Sequence, residues 1–103
     1  MRLETQDGRR IDNPDERQID EAIRAMEADD AFVILSRDEM TYIQASGDVS
    51  AGFVLEYQAG DIDRHFSAAA GPHSADRVSK AFRQYALGDP GWESDFQWEP
   101  LEI

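Results

Sequence analysis

Residues 31–68 read AFVILSRDEM TYIQASGDVS AGFVLEYQAG DIDRHFSA, and the apolar period of this stretch decides the fold class. Phe32-Val33-Ile34-Leu35 is apolar at every position, the pattern of an interior strand covered on both faces or nearly so. Arg37-Asp38-Glu39 supplies a turn, and Met40 to Ala45 follows as a second strand, with Met40 and Tyr42 on one side and Thr41 and Ile43 on the other. Ser46-Gly47-Asp48 reads as the break that ends it. Gly52 to Gln58 then alternates, with Phe53, Leu55 and Tyr57 toward a core and Val54, Glu56 and Gln58 away from it. Beyond Ala59-Gly60-Asp61, Ile62 to Ala68 gives a fourth strand in which Ile62, Arg64 and Phe66 oppose Asp63, His65 and Ser67. Links this short predict an antiparallel meander.

Helical spacing appears on both sides of the meander. Upstream, Asn13-Pro14-Asp15-Glu16 combines a capping residue, a proline suited to the first helical position and a carboxylate placed to return the cap. Ile19, Ala22, Ile23 and Met26 then form one apolar stripe, in a helix expected to end near Asp29-Asp30. Downstream, Ser74 caps a second helix whose buried stripe is Val78, Ala81, Phe82 and Tyr85, and Gly88 ends it. Asp7-Gly8 marks a small hairpin between Arg2 to Thr5 and Arg9 to Ile11. The tail alternates Phe96, Trp98, Leu101 and Ile103 against Asp95, Gln97 and Glu99, and Pro100 puts this last strand at a sheet edge. The expectation is a single α+β domain over residues 1–103. It would be an antiparallel four- to six-stranded meander sheet with two helices packed on one face, leaving the other face at least partly wet.

Composition narrows the function classes. The chain has 22 acidic and 10 basic residues, a net charge of −12 in 103 residues, yet 41% of it is hydrophobic and ten positions are aromatic, too much apolar material for a disordered acidic segment. That charge argues against nucleic acid and against anionic lipid as direct partners, and favours a basic protein or simply solubility. With no cysteine, disulfides, thiolate nucleophiles and cysteine-ligated metals are excluded. Met1 to Thr5 lacks the apolar stretch of a secretory signal, and the longest apolar run is Ala31 to Leu35, so a cytoplasmic, non-membrane protein is expected.

Catalytic patterns are missing. No serine lies in a Gly-x-Ser-x-Gly elbow or a Ser-x-x-Lys pair, and the glycines form no phosphate-binding loop. Asp63 and His65, two apart on one expected strand, would share a face and could pair or hold a metal, but two side chains do not make a site and a surface histidine near a carboxylate explains them as well. The reading is therefore no enzyme, no metal and no cofactor. Charge is unevenly spread: residues 88–103 carry five acids and no base, whereas residues 61–87 carry a net +1. In the acidic tail Trp92 reads as an exposed aromatic anchor ringed by Glu93, Asp95 and Glu99, with Phe96 and Trp98 buried, an arrangement suited to a basic protein surface. Glu56 and Tyr42 join these as candidate partner-binding residues on the open sheet face.

The layout across residues 31–101 resembles the small α+β immunity proteins of bacterial polymorphic toxin systems. The stretches that carry the likeness are Phe32-Val33-Ile34-Leu35, Tyr42-Ile43-Gln44-Ala45, Gly52 to Tyr57, His65-Phe66, the Val78 to Gly88 helix, and Trp92 with Phe96-Gln97-Trp98-Glu99. The resemblance implies a stoichiometric inhibitor that occludes a cognate toxin and performs no chemistry. It carries no contact residue across. Two other readings stay open: a small ligand-binding or enzymatic domain using Tyr42, Glu56, Asp63 and His65 on the open face, and a housekeeping domain that is a homodimer rather than a monomer.

Overall fold

The computed structural model describes residues 1–27 and 31–101. Its strands are β1 (Arg2–Thr5), β2 (Arg10–Asp12), β3 (Phe32–Asp38), β4 (Thr41–Asp48), β5 (Gly52–Ala59), β6 (His65–Ala68) and β7 (Trp98–Pro100). Its helices are α1 (Glu16–Arg24), α2 (Ala75–Leu87) and the single turn α3 (Gly91–Ser94). All seven strands form one open antiparallel sheet in the order β2-β1-β3-β4-β5-β6-β7, one strand more than the largest count expected. The extra width comes from the N-terminal hairpin. It does not stand apart but lays β1 against β3, pairing Leu3 with Leu35, and so extends the meander by two strands.

The buried apolar residues of β1, β3, β4 and β5 belong to one alternation set: Leu3, Val33, Leu35, Ile43, Ala45, Phe53 and Leu55 are at most 1% exposed, whereas on the other face the buried residues Gln58 and His65 are polar. The apolar set forms a single cluster with Ile19, Ala22, Ile23 and Met26 and with Val78, Ala81, Phe82 and Tyr85, the two stripes expected from helical spacing. The opposite set is open. Phe32 and Val54 are 37% and 49% exposed, so β3 is interior by pairing but covered on one face only, not on both. An apolar run satisfies either arrangement, because hydrogen bonding to β1 and β4 makes a strand central whatever lies above it.

Local chemistry moves several boundaries. The cap of α1 is Asp15, not Asn13: the Asp15 carboxylate accepts from the Gln18 amide and the Gln18 side chain returns the bond, while Asn13, at φ 51°, receives the chain's amino group on Oδ1. Helix α1 ends at Arg24, and the expected end at Asp29-Asp30 lies outside the described residues. Helix α2 begins at the Ser74 cap and ends at Gly88, whose φ of 77° makes glycine the residue that fits there. Strand β4 does not break at Ser46-Gly47-Asp48. It runs through to Asp48, whose carboxylate accepts from the Ser50 and Ala51 amides and from the Ser50 hydroxyl and so builds the turn into β5. The turn signal was real but acts one residue later than the strand's end.

Two carboxylates tie these features to pH. The Ser79 hydroxyl, 2.6 Å from Asp20 and assisted by Arg24, holds Asp20 below the usual carboxylate range and links α1 to α2. The Ala51 amide, with the Ser50 hydroxyl, does the same for Asp48. Both groups hold protons less tightly folded than unfolded, so their stabilisation is complete above the ordinary carboxylate range, about pH 4, and is lost as pH falls through it. Acid titration followed by circular dichroism should show stability dropping below that point. The double variant Asp20→Asn with Asp48→Asn should show a shallower acid limb.

Candidate functional site

Strand register lays the open face out in two rows. In the first, Arg10, Glu4, Ile34, Gln44, Glu56, Ser67 and Glu99 follow one another from β2 to β7, each directly opposite the next. The second row runs Asp12, Arg2, Ser36, Tyr42, Gln58 and His65 from β2 to β6. Directly opposed residues in an antiparallel sheet share a face. Glu56 and Glu99 therefore flank Ser67, about 10 Å apart at the usual strand spacing.

At the β4–β6 end of this face the side chains close on one another. His65, 4% exposed, places Nε2 2.7 Å from Glu56 Oε1 and Nδ1 3.1 Å from Gln58 Oε1. The Gln58 amide is oriented by its Nε2, which donates to the Met40 carbonyl at 3.1 Å, and its Oε1 also accepts from the Tyr42 hydroxyl at 3.4 Å. Both imidazole nitrogens thus face oxygen atoms of neighbouring side chains. Burial, reinforced by the nearby Glu56 charge, pushes the Tyr42 phenol up, so it stays a donor. His65→Ala would leave Glu56 without its ring partner and Gln58 Oε1 with the Tyr42 hydroxyl alone, and should cost about 1–3 kcal/mol in urea unfolding. Glu56→Gln keeps an acceptor opposite the ring and should cost less.

This arrangement corrects the expected pair of Asp63 and His65. Residues Ile62–Arg64 form a 3-10 turn capped by Asp61, whose carboxylate accepts from the Asp63 amide, and β6 begins only at His65. The alternation that would have aligned the two side chains is therefore absent. Asp63 is exposed, and the partner of His65 is Glu56, nine positions earlier and across the β5–β6 ladder. Of the four residues considered for a ligand site, Tyr42, Glu56 and His65 meet and Asp63 does not. Among the described residues no group of three or more His, Asp and Glu side chains is placed to hold a metal ion.

The C-terminal candidates lie elsewhere. Trp92 is not an exposed anchor: it is 7% exposed and packs edge-on against Tyr57 and Trp98, at ring separations of 4.9 and 5.7 Å, with Tyr85 also beside it. Helix α3 is the cause, because a helical turn at Gly91–Ser94 swings Trp92 inward where an extended segment would have left it out. Phe96 and Trp98 are half-buried in the same aromatic cluster. Glu93 and Asp95 are exposed, but Asp95 sits against α2, its carboxylate 3.4 Å from the Lys80 ammonium and its carbonyl accepting from Arg77. Glu99 belongs to the open face with Glu56 and Tyr42. The six candidate residues thus divide between the open face and the α2–α3 corner.

The β1–β3–β4 end of the open face was not foreseen as a site. A groove of about 320 Å³ is lined there by Glu4, Ile34, Ser36, Asp38, Glu39, Tyr42 and Gln44, and it shares Glu4, Ser36, Asp38 and Glu39 with a second, of about 560 Å³, that is also lined by Met1, Arg2, Asp12, Asn13 and Arg37. Glu4 and Ile34 become neighbours only through the non-local pairing of β1 with β3, which leaves no local mark on the sequence. The chain matches no protein-family model, no curated protein and no solved structure. The likeness to immunity proteins therefore rests on the residues quoted for it. No helix among the described residues is long and apolar enough to cross a membrane.

Proposed function

We propose that this chain is an acidic, non-catalytic binding protein that neutralises a basic partner by direct contact, in the manner of a toxin-specific immunity protein. In this reading α1 and α2 both cover one face of the sheet, and the other face meets the partner in the cytoplasm. The observation that carries it is the state of the charges. The chain has 22 acidic side chains against 10 basic ones, and four of those ten are already held in ion pairs, Arg2 by Asp12, Arg17 by Glu21, Arg24 by Asp20 and Asp76, and Lys80 by Asp95, whereas Glu4, Glu39 and Glu99 make no ion pair in the described structure. A surface of that kind raises the encounter rate with a cationic protein and repels nucleic acid and anionic lipid.

Where a toxin-like reading frame adjoins the gene, co-expression with its product tests the reading. A one-to-one complex should form at low salt and loosen as ionic strength rises, since screening shortens to about 8 Å near physiological salt. Failure to form any complex at low salt would contradict it.

A further inference from the structure

We infer that the open face over β1, β3 and β4 is the docking surface, and that its groove seats an arginine or lysine side chain from a basic segment of the partner protein. This rests on the binding reading above and adds the surface and the chemical group it receives. The smaller groove is lined by Glu4, Asp38 and Glu39 and by no cation, while Arg2 and Arg37 line the larger groove beside it. The nearby cations are turned to other work. Arg2 is bonded to Asp12 at 3.2 Å, the chain's amino group donates to Asn13, and Arg37 donates to the Tyr85 carbonyl at the end of α2 while lying 4.9 Å over the Tyr85 ring. Arg10 stands opposite Glu4 on the edge strand β2, outside the groove lining.

The groove is more than a patch of acid. Between the carboxylates lie half-buried Ile34 and the ring of Tyr42, with exposed Phe32 and Val54 beyond on the same face. A long basic side chain fits that mixture: its aliphatic stem covers apolar surface, its head reaches the carboxylates, and a tyrosine ring adds a cation–π contact. A second copy of the chain does not fit, because a two-fold contact through this face would bring the same carboxylates together.

The probe is an octa-arginine peptide titrated into the 15N-labelled full chain at low salt. Three proteins are compared: the natural sequence, Glu4→Gln with Glu39→Gln, and Asp63→Asn with Glu93→Gln. The two double variants lose the same charge, the second away from the groove. Binding should move the amides of Ile34, Ser36 and Gln44. The groove variant should bind about five- to tenfold more weakly, the loss expected for one or two charge-assisted contacts, and the distant variant should change less than about twofold. Glu39→Gln alone, in an exposed turn, set against Asp63→Asn alone, gives the charge-matched comparison if the double variant is poorly folded. Equal weakening of both double variants overturns the groove as the seat and leaves the binding reading standing, because the attraction would then be spread over the whole surface. Absence of peptide binding to the natural chain, or shifts confined to the α2–α3 corner, also overturns it. The complex with the neighbouring gene product reports separately on the binding reading itself.

Discussion

Phe53→Ala is expected to cost about 3–5 kcal/mol, enough to consume a large part of the 5–15 kcal/mol typical of a domain this size. Phe53 is fully buried at the start of β5, where its ring sits in the single core cluster shared by the sheet and the helices. Its backbone is also the anchor for the segment that leads into α2: Phe53 donates to the His73 carbonyl at 2.8 Å and accepts from the His73 amide at 2.9 Å. Removing the ring leaves a cavity at the point where two segments far apart in sequence are held together. The neighbouring change Val54→Ala should cost no more than about 0.5 kcal/mol, because Val54 is half-exposed on the other face. Guanidinium unfolding of the two variants measures the alternation directly. Similar losses for both would mean that the assignment of faces is wrong.

Gly47→Ala is the second large effect. Gly47 sits at φ 122°, a conformation that L residues rarely adopt, and a methyl group there would run into the Gly52 carbonyl oxygen on the paired strand. The obstacle is backbone, so no side chain can turn aside. Strain of this kind costs about 1–3 kcal/mol before the clash is counted, and displacement of β5 would add to it. Gly8→Ala is the control: Gly8 also has positive φ, at 86°, but open space surrounds its missing Cβ, so only the conformational strain applies. Thermal unfolding should place Gly47→Ala well below Gly8→Ala. Equal midpoints would show that β4 relaxes freely at this position.

The contrast between Gly47 and Ser46-Gly47-Asp48 as a turn signal shows what local pattern can and cannot convey. A glycine beside Ser and Asp marks chain reversal, and reversal does occur, but the glycine serves strand crossing while the Asp48 carboxylate organises the turn beyond it. The α2 cap and stripe and the alternation of Phe53 and Leu55 were legible because they depend on residues three, four or two positions apart. The pairing of β1 with β3 was not, since it joins Leu3 to Leu35 across a helix and no local period records it. Strand count was underestimated for that reason, and with it the groove between Glu4 and Tyr42.

The candidate site divides in the same way. Glu56 was legible as facing away from the core by parity within its strand, parity alone left the face of Tyr42 undecided, and the register then showed that both meet His65. The expected alliance of Asp63 with His65 failed because Asp61 caps a 3-10 turn in place of the first half of the strand. Trp92 misled for a related reason: an acidic, glycine-flanked tryptophan reads as an exposed anchor until one helical turn at Gly91–Ser94 turns it into the aromatic cluster. Gln58 was legible only as a residue facing away from the core. Its importance lies in an amide oriented by the Met40 carbonyl, a contact made only across the β4–β5 pair.

Amide hydrogen exchange on the full chain, with and without the octa-arginine peptide, tests the central claim most directly. Slowed exchange should concentrate on β3 and β4 around Ile34, Tyr42 and Gln44, with the outer surfaces of α1 and α2 unchanged. Protection centred on α2 and the Glu93–Asp95 corner, with the open face left as labile as in the free protein, would contradict it.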